Sequence, residues 1–434
     1  MTATWPFAAF VGMPPMRIAR AEGTYLYDVD GRRILDAAGG AIAVNVGHGR
    51  AEVADAMHDA ILSCSYAVPP WLTPQRERLL ERLQRDWLPP GLTRMHLTSG
   101  GSEGAETVIK IALQFHAARG LTGKTKIIAQ TPSYHGTTLA TLAVSGHESR
   151  RHGLSHVLPA VPVVPAPHAL RCPSPDVGRY CLDALEQVIE REGADTVAGF
   201  LAEPIVGASG GALVPPEGYW QAVRKLCDHY DLLLLTDEVM TGFGRTGTRF
   251  ALDQWDVVPD VMVAGKGLGG GYSPIAGVFA TEAVGASIGE AGMNVMFHTF
   301  AAHPSACAAA DKVLEILDRE CLVDRAANTG AALKARLCEA FVDHPHVAEV
   351  RGAGLLLAVE LVEDRESLTR YPRDQGITTR VLAEGLRRGV SFYPGGTGEV
   401  RDIVALGPPF TVGSEELDLM VDVLVDAVDT VTRS

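Results

Sequence analysis

The chain has 434 residues, 47% hydrophobic and 21% charged, with a formal net charge of −14. This is globular composition, long enough for a large core and more than one domain. The negative balance argues against a nucleic-acid partner, and no apolar run is long enough for a membrane-spanning helix.

At the start, MTATWPFAAFVGMPPM lacks a basic segment and is broken by prolines, so no secretory leader is expected. TYLYDVDGRRILD (24–36) predicts a hairpin around Asp30-Gly31. Thr73 is placed to cap a helix with Pro74 in its first turn. SEGAETVIKIALQFHAARG puts Val108, Ile111, Ala112 and Phe115 on one face, with Gly120 to end the helix. KIIAQ (126–130), VAGFLAEPI (197–205), LLLLTDEV (232–239), DVMVAG (260–265) and IAGVFAT (275–281) predict buried strands. Their two-sided hydrophobicity points to a mostly parallel sheet covered by helices. His152 and His156, four apart, would share a helix face, but no third ligand accompanies them and no metal is expected. VAEVRGAGLLLAVEL (347–361) is strand-like, and Ser414 is placed to cap a last helix bearing Leu417, Met420, Val421 and Leu424. The pattern is α/β: a large domain over 61–320 with a mostly parallel sheet, and a smaller α+β domain built from 1–60 and 321–434. Seven scattered cysteines without a C-x-x-C read as reduced thiols of a cytoplasmic protein.

VAGKGLGGGY (263–272) carries two incompatible readings. Gly265, Gly267 and Gly270 spell G-x-G-x-x-G, a dinucleotide fingerprint, which requires a helix to open at the glycines. Here Pro274 and another strand follow. The second reading is Lys266 itself. A lysine just after a buried strand is partly desolvated, which lowers its pKa and makes it a nucleophile toward an aldehyde. Alone, it would be a surface lysine in a glycine loop. It has company, however. Asp237 and Glu238 end the buried strand LLLLTDEV, where open α/β sheets bind ligands. A carboxylate there suits a protonated pyridine nitrogen. TSGGSEGAE opens a helix, so Gly101 and Ser102 offer N–H groups and a hydroxyl to a phosphate. Tyr134, in TPSYHGTT, is placed to stack on a flat ring. GKT at 123–125 lacks the glycine that a P-loop needs at 118. A lysine, an acidic partner, a phosphate loop and an aromatic stacker are what pyridoxal phosphate requires.

SGGSEGAETVIKIA, SYHGTT, AEPIVG, TDEVMTGFGRTG, VAGKGLGGGYSPIAGV and FHTFAAHPSACAAA, in this order, resemble the class III (ω-) aminotransferases of fold type I. The resemblance covers nearly the whole chain. It implies that Lys266 holds the cofactor aldehyde as an imine and then moves protons. Asp237 would pair with the pyridinium nitrogen, Val239 and Tyr134 would pack on opposite ring faces, and His135 would lie beside Tyr134. Gly101 and Ser102 would bind the phosphate, Glu203 would lie near the cofactor hydroxyl, and Thr299 would reach the phosphate of a neighbouring subunit. The family implies at least a homodimer with active sites at the interface.

Substrate residues are a separate expectation. Arg401, in YPGGTGEVRDIVALGPPF, is the candidate for the carboxylate of a keto acid. Ala41 and Ile42 stand where relatives carry a tryptophan, which would leave room for a bulkier group. Tyr66 and Trp71 are candidates for the same pocket, and Met240 stands in place of a glutamine after DEV. The expected reaction moves an amino group from an amine or ω-amino acid to pyruvate or 2-oxoglutarate. A racemase, epimerase or aminomutase would share the cofactor residues. A decarboxylating enzyme, a non-catalytic homologue and a nucleotide-binding oxidoreductase are the remaining alternatives.

Overall fold

The computed structural model describes residues 16–433. The opening segment, on which the leader expectation rests, lies outside them except for Met16.

Strands β1 (Ile18–Glu22), β2 (Tyr25–Asp28) and β3 (Arg33–Asp36) form an antiparallel meander. The β2–β3 turn follows from Asp28, whose Oδ1 accepts the N–H of Asp30 (3.0 Å) and of Arg32 (2.8 Å), while Gly31 takes φ +83°. The helix Ala51–Ser63 follows, then Pro74–Arg82, capped by Thr73 with Pro74 at its first position.

The central sheet contains β4 (Leu92–Thr98), β5 (Lys126–Thr131), β6 (Val163–Pro165), β7 (Val197–Ala202), β8 (Leu233–Glu238), β9 (Val261–Ala264) and β10 (Ala276–Thr281). Its order is β4-β10-β9-β8-β7-β5-β6. Strand β10 runs antiparallel to both its neighbours, and the others run parallel to one another. Every residue of β7, β8 and β9 is buried, as the two-sided apolar runs require when helices cover both faces. The helix Pro304–Arg319 packs on Ala51–Ser63 and on Pro74–Arg82. Its run Ala306, Cys307, Ala308, Ala309, Ala310 is buried, and such small side chains allow close approach.

VAEVRGAGLLLAVEL folds as two antiparallel strands, β11 (Val347–Ala353) and β12 (Leu356–Leu361). Gly354 turns between them with φ +52°, and a Cβ there would lie 2.3 Å from the Thr246 carbonyl carbon. Then come β13 (Val390–Ser391), β14 (Tyr393–Thr397) and β15 (Val400–Leu406). Strand β13 joins β3 in parallel, so segments near both ends of the chain share one sheet; β11-β12-β15-β14 form another.

Two local expectations are corrected. The last helix, Ser414–Thr432, is capped at Gly413, whose N–H donates to Glu416 Oε2 (2.9 Å). The Ser414 hydroxyl instead accepts from Arg336 (2.9 Å). His152 and His156 lie in exposed turns, not on a helix. Among the described residues no helix is long and apolar enough to cross a membrane.

The β11–β12 sheet is tied by charge to segments that follow β6 and β7 of the central sheet. Arg351 binds Glu360 (2.6 Å), Glu349 (2.8 Å) and the carbonyls of Gly211 (2.6 Å) and Gly210 (2.9 Å). Arg171 takes the other Glu360 oxygen (2.7 Å), and His168 stands 3.5 Å away. His168, Glu349 and Glu360 are close enough to ligate a cation, but arginines already occupy the two carboxylates. Burial acts to raise the Glu360 carboxyl, yet the His168 contact and the charges of Arg351 and Arg171 bring it down to about 2. Glu360→Ala leaves Arg351 buried and unpaired, and urea unfolding is expected to show a loss of roughly 3–5 kcal/mol. A carboxyl depressed below its ordinary 4.5 adds stability above that pH and loses it as pH falls toward 2. The variant should therefore show a flatter acid limb.

Candidate active site

The parallel strands β4, β5, β7, β8 and β9 all end on one edge of the sheet, and their following residues line a cavity of about 440 Å³. Strand β4 leads into Ser99–Ser102, β5 into Tyr134–Gly136, β7 into Glu203, β8 into Val239 and Met240, and β9 into Lys266. The antiparallel β10 begins at the same edge, so Ser273, Pro274 and Ile275 close the far wall.

Lys266 sits in a short turn at φ +41°, a region that disfavours side chains and marks stored strain. Asn45 holds that turn by donating to the carbonyl of Gly267 (2.9 Å). A Cβ on Gly269 would lie 2.2 Å from the Ser273 carbonyl oxygen. The glycines thus serve a tightly folded turn that runs into β10, and no helix opens there to receive a pyrophosphate.

Successive residues of a strand point to opposite faces, and β8 uses this to separate two adjacent acids. Asp237 faces the cavity. Its Oδ1 accepts the Val239 N–H (2.9 Å), and its Oδ2 meets His135 Nδ1 (2.8 Å). Glu238 faces the opposite side, fully buried. It accepts from Thr241 and from the N–H groups of Ala251 (2.9 Å) and Leu252 (3.0 Å), anchoring the turn Ala251–Trp255. Burial pushes Glu238 up to about 7, against those three donors.

Glu203 accepts the N–H of Tyr134 (2.9 Å) and of Gly207 (2.8 Å), which joins the β5 and β7 loops. Burial, reinforced by Asp237, raises it to about 7. The helix Gly101–Ala118 points its N-terminus at the cavity, and no side chain caps it. Glu103 turns back to the Ser99 N–H (2.8 Å), and the Ser102 hydroxyl accepts from Thr137 N–H (3.2 Å). A Cβ on Gly101 would stand 2.9 Å from Val239 Cγ1, so only glycine lets these two loops meet. Burial brings the Lys266 amine down to about 8; Glu203 and Asp237 oppose the shift, and the charges of Arg245 and Arg150 add to it.

A family model described as aminotransferase class-III matches residues 7–428. The chain belongs to the class III aminotransferases. It is 35% identical over 430 residues to the adenosylmethionine-8-amino-7-oxononanoate aminotransferase of Geobacter sulfurreducens, covering 96% of this chain and 93% of the relative. The (S)-enantioselective omega-transaminase of Thermomicrobium roseum superposes with a TM-score of 0.91 at 34% identity, over 96% of this chain and 93% of that one. The omega-transaminase of Pseudomonas jessenii in complex with PMP gives 0.91 at 32% identity, over 96% and 93%. This aminotransferase therefore has the fold type I architecture and depends on pyridoxal phosphate. Nothing in these matches favours the isomerase alternative.

The site fits that cofactor: an uncapped helix N-terminus, a desolvated amine and an oriented carboxylate open onto one cavity. The structure brings together Lys266, Asp237, Val239, Gly101, Ser102, Tyr134, His135 and Glu203 of the aminotransferase. Five other candidates do not line the cavity of their own chain. Arg401 is paired with Asp402 (2.7 Å). Ala41 is exposed; Ala43, two residues on, lines the cavity instead. Tyr66 and Trp71 are exposed, and the Tyr66 hydroxyl donates to the Thr299 carbonyl (3.1 Å). Sequence reasoning missed Ala43, Ala208 and Ser273, whose small side chains give no chemical signal.

The low proton affinity of Lys266 is directly measurable. An amine-selective acylating reagent should modify Lys266 of the cofactor-free protein with a rate that rises through about pH 8, because the neutral amine reacts. A midpoint near the ordinary 10.5 would mean the amine is solvated.

Proposed function

We propose that this aminotransferase takes amino groups from an amine or ω-amino acid and passes them to a keto acid such as pyruvate or 2-oxoglutarate, with Lys266 and Asp237 as its catalytic pair. The observation that supports this is the desolvated lysine sharing one cavity with a carboxylate already held by two donors. When bound, pyridoxal phosphate supplies an aldehyde to receive the amino group and a ring to spread developing charge.

The chain's residues divide the remaining work. Gly101 and Ser102, at the uncapped helix N-terminus, would hold the phosphate dianion through N–H groups and the helix dipole. Asp237 would keep a proton on the ring nitrogen, in an orientation set by Val239 N–H and His135. Val239 and Tyr134 would pack on the ring faces, and Glu203 would lie toward the cofactor hydroxyl. Lys266 Nζ would take the proton from the substrate carbon that bears the amino group. A positioned base of this kind contributes roughly 10²–10⁴-fold.

A homodimer is part of the proposal. Trp71 (69% exposed), Leu72, Phe297 and Phe300 (65% exposed) lie on two adjoining segments that also carry Tyr66 and Thr299. Clustered apolar exposure of this kind marks an interface. A second copy seated there would bring Thr299 toward the partner's site. A cytoplasmic location is proposed from the seven free thiols.

The test is alanine formation from pyruvate with a panel of amines. Lys266→Ala should lose at least roughly 10²–10⁴-fold. Absence of both alanine from pyruvate and glutamate from 2-oxoglutarate, with wild-type protein and every amine, would end this substrate reading. Sedimentation should give twice the chain mass; a monomer would remove the role given to Thr299.

A further inference from the structure

We infer that Asp36 is a positioning residue for the amine pocket: with His48 it holds the kinked turn 38–44 against the Lys266 cavity, so that Ala43 forms a fixed wall and bounds the size of the amine that enters. The inference rests on the amine-donor reading and adds what limits that donor.

Asp36 ends β3 and is 1% exposed. Its N–H donates to the Thr24 carbonyl (2.9 Å), which sets it firmly on the meander. Its Oδ1 accepts the N–H of Ala38 (3.3 Å). Its Oδ2 accepts the N–H of Gly40 (2.9 Å) and meets His48 Nε2 (2.9 Å). His48 is itself fixed, because its N–H donates to the Gly23 carbonyl (2.7 Å) and its carbonyl accepts the Gly23 N–H (3.0 Å). Asp36 does not line the cavity, so it acts on the site through the turn.

The turn requires such a hold. Gly39 (φ +53°), Gly40 (φ +65°) and Ile42 (φ +56°) all take left-handed backbone, where a β-branched side chain is an outlier. Conformations of this kind persist only where the surroundings over-determine them. Gly407 packs against the turn from one side. A Cβ on Gly39 would lie 2.5 Å from the Gly407 carbonyl oxygen, and a Cβ on Gly407 would lie 2.8 Å from Ile42 Cγ2. Arg245 secures the far end by donating to the Val44 carbonyl (2.9 Å). A Cβ on Gly40 would meet no atom within 4 Å, so packing does not hold that corner and the bond to Asp36 does. Between these holds Ala43 lines the cavity. Beside it is Gly271, also a lining residue, where a Cβ would lie 2.8 Å from Val44 Cγ2. A wall that cannot retreat leaves a gap of fixed size. Freeing the Gly40 corner lets the wall give way to a larger group.

The experiment measures kcat/KM of wild type, Asp36→Asn, His48→Ala and His48→Gln for isopropylamine and cyclohexylamine, with pyruvate as acceptor. The ratio of cyclohexylamine to isopropylamine should rise roughly tenfold in Asp36→Asn and His48→Ala, the scale on which an apolar pocket discriminates one methylene. His48→Gln, whose amide can still donate to Asp36, should recover much of the wild-type ratio. A ratio unchanged or lowered in these two variants, whether or not overall activity falls, would overturn the inference and leave Asp36 a support of the fold alone. Should Asp36→Asn not fold, the two His48 variants decide. If wild type accepts neither amine, the donor reading fails for amines of this kind, and hydrogen exchange decides the rest. Faster exchange confined to 38–44 in Asp36→Asn and His48→Ala supports the held turn, and unchanged exchange there overturns it.

Discussion

Parallel strands impose direction. Each strand that enters the central sheet from the same side must release its chain at the same opposite edge, so β4, β5, β7, β8 and β9 deliver their next residues to one place. The chemistry depends on that convergence, because Lys266, Asp237, Glu203, Tyr134 and Ser102 stand at or just beyond the ends of five separate strands. The alternation of side chains along β8 then sorts Asp237 from Glu238. One carboxylate reaches the cavity, and its neighbour is spent on three donors in the core. A one-residue slip of β8 would exchange them.

Much of this was legible in the sequence because it is local. Lys266, Asp237 and Tyr134 each stand within a few residues of an apolar run that reads as a strand, and strand ends are where such folds bind ligands. The hairpin at Asp30-Gly31 and the Thr73 cap were legible for the same reason: the interacting atoms are within a few residues of each other. What was not legible depends on which of several possible partners a polar side chain takes once folded. Arg401 is paired with Asp402, a contact that its place in the sequence does not announce. Ser414 resembled a cap, but Glu416 reaches back to the backbone of Gly413, and the Ser414 hydroxyl pairs with Arg336. The contact of Arg150 with the Tyr134 ring, likewise, forms only when the turn carrying it folds over that ring.

The smaller sheets are not passive supports. Arg351, on β11, holds the carbonyls of Gly210 and Gly211, and Gly396, on β14, donates to the Ala208 carbonyl (2.7 Å). Ala208 lines the cavity, so one of its walls is set by strands far along the chain. The buried Glu360 keeps Arg351 in place for this task, which gives an internal ion pair a positional role beyond any stability it adds.

Arg76 draws a different boundary through the molecule. Its guanidinium is buried and donates to the carbonyls of Ala67, Val68, Pro69 and Trp71 on one segment and of Ala302 on another. Neither segment can leave without stripping several of these bonds from a desolvated cation. The two therefore form a single cooperative opening unit, and their amides should exchange hydrogen with solvent together rather than loop by loop. Tyr66 and Thr299, hydrogen-bonded across the same junction, would be gained or lost as a pair.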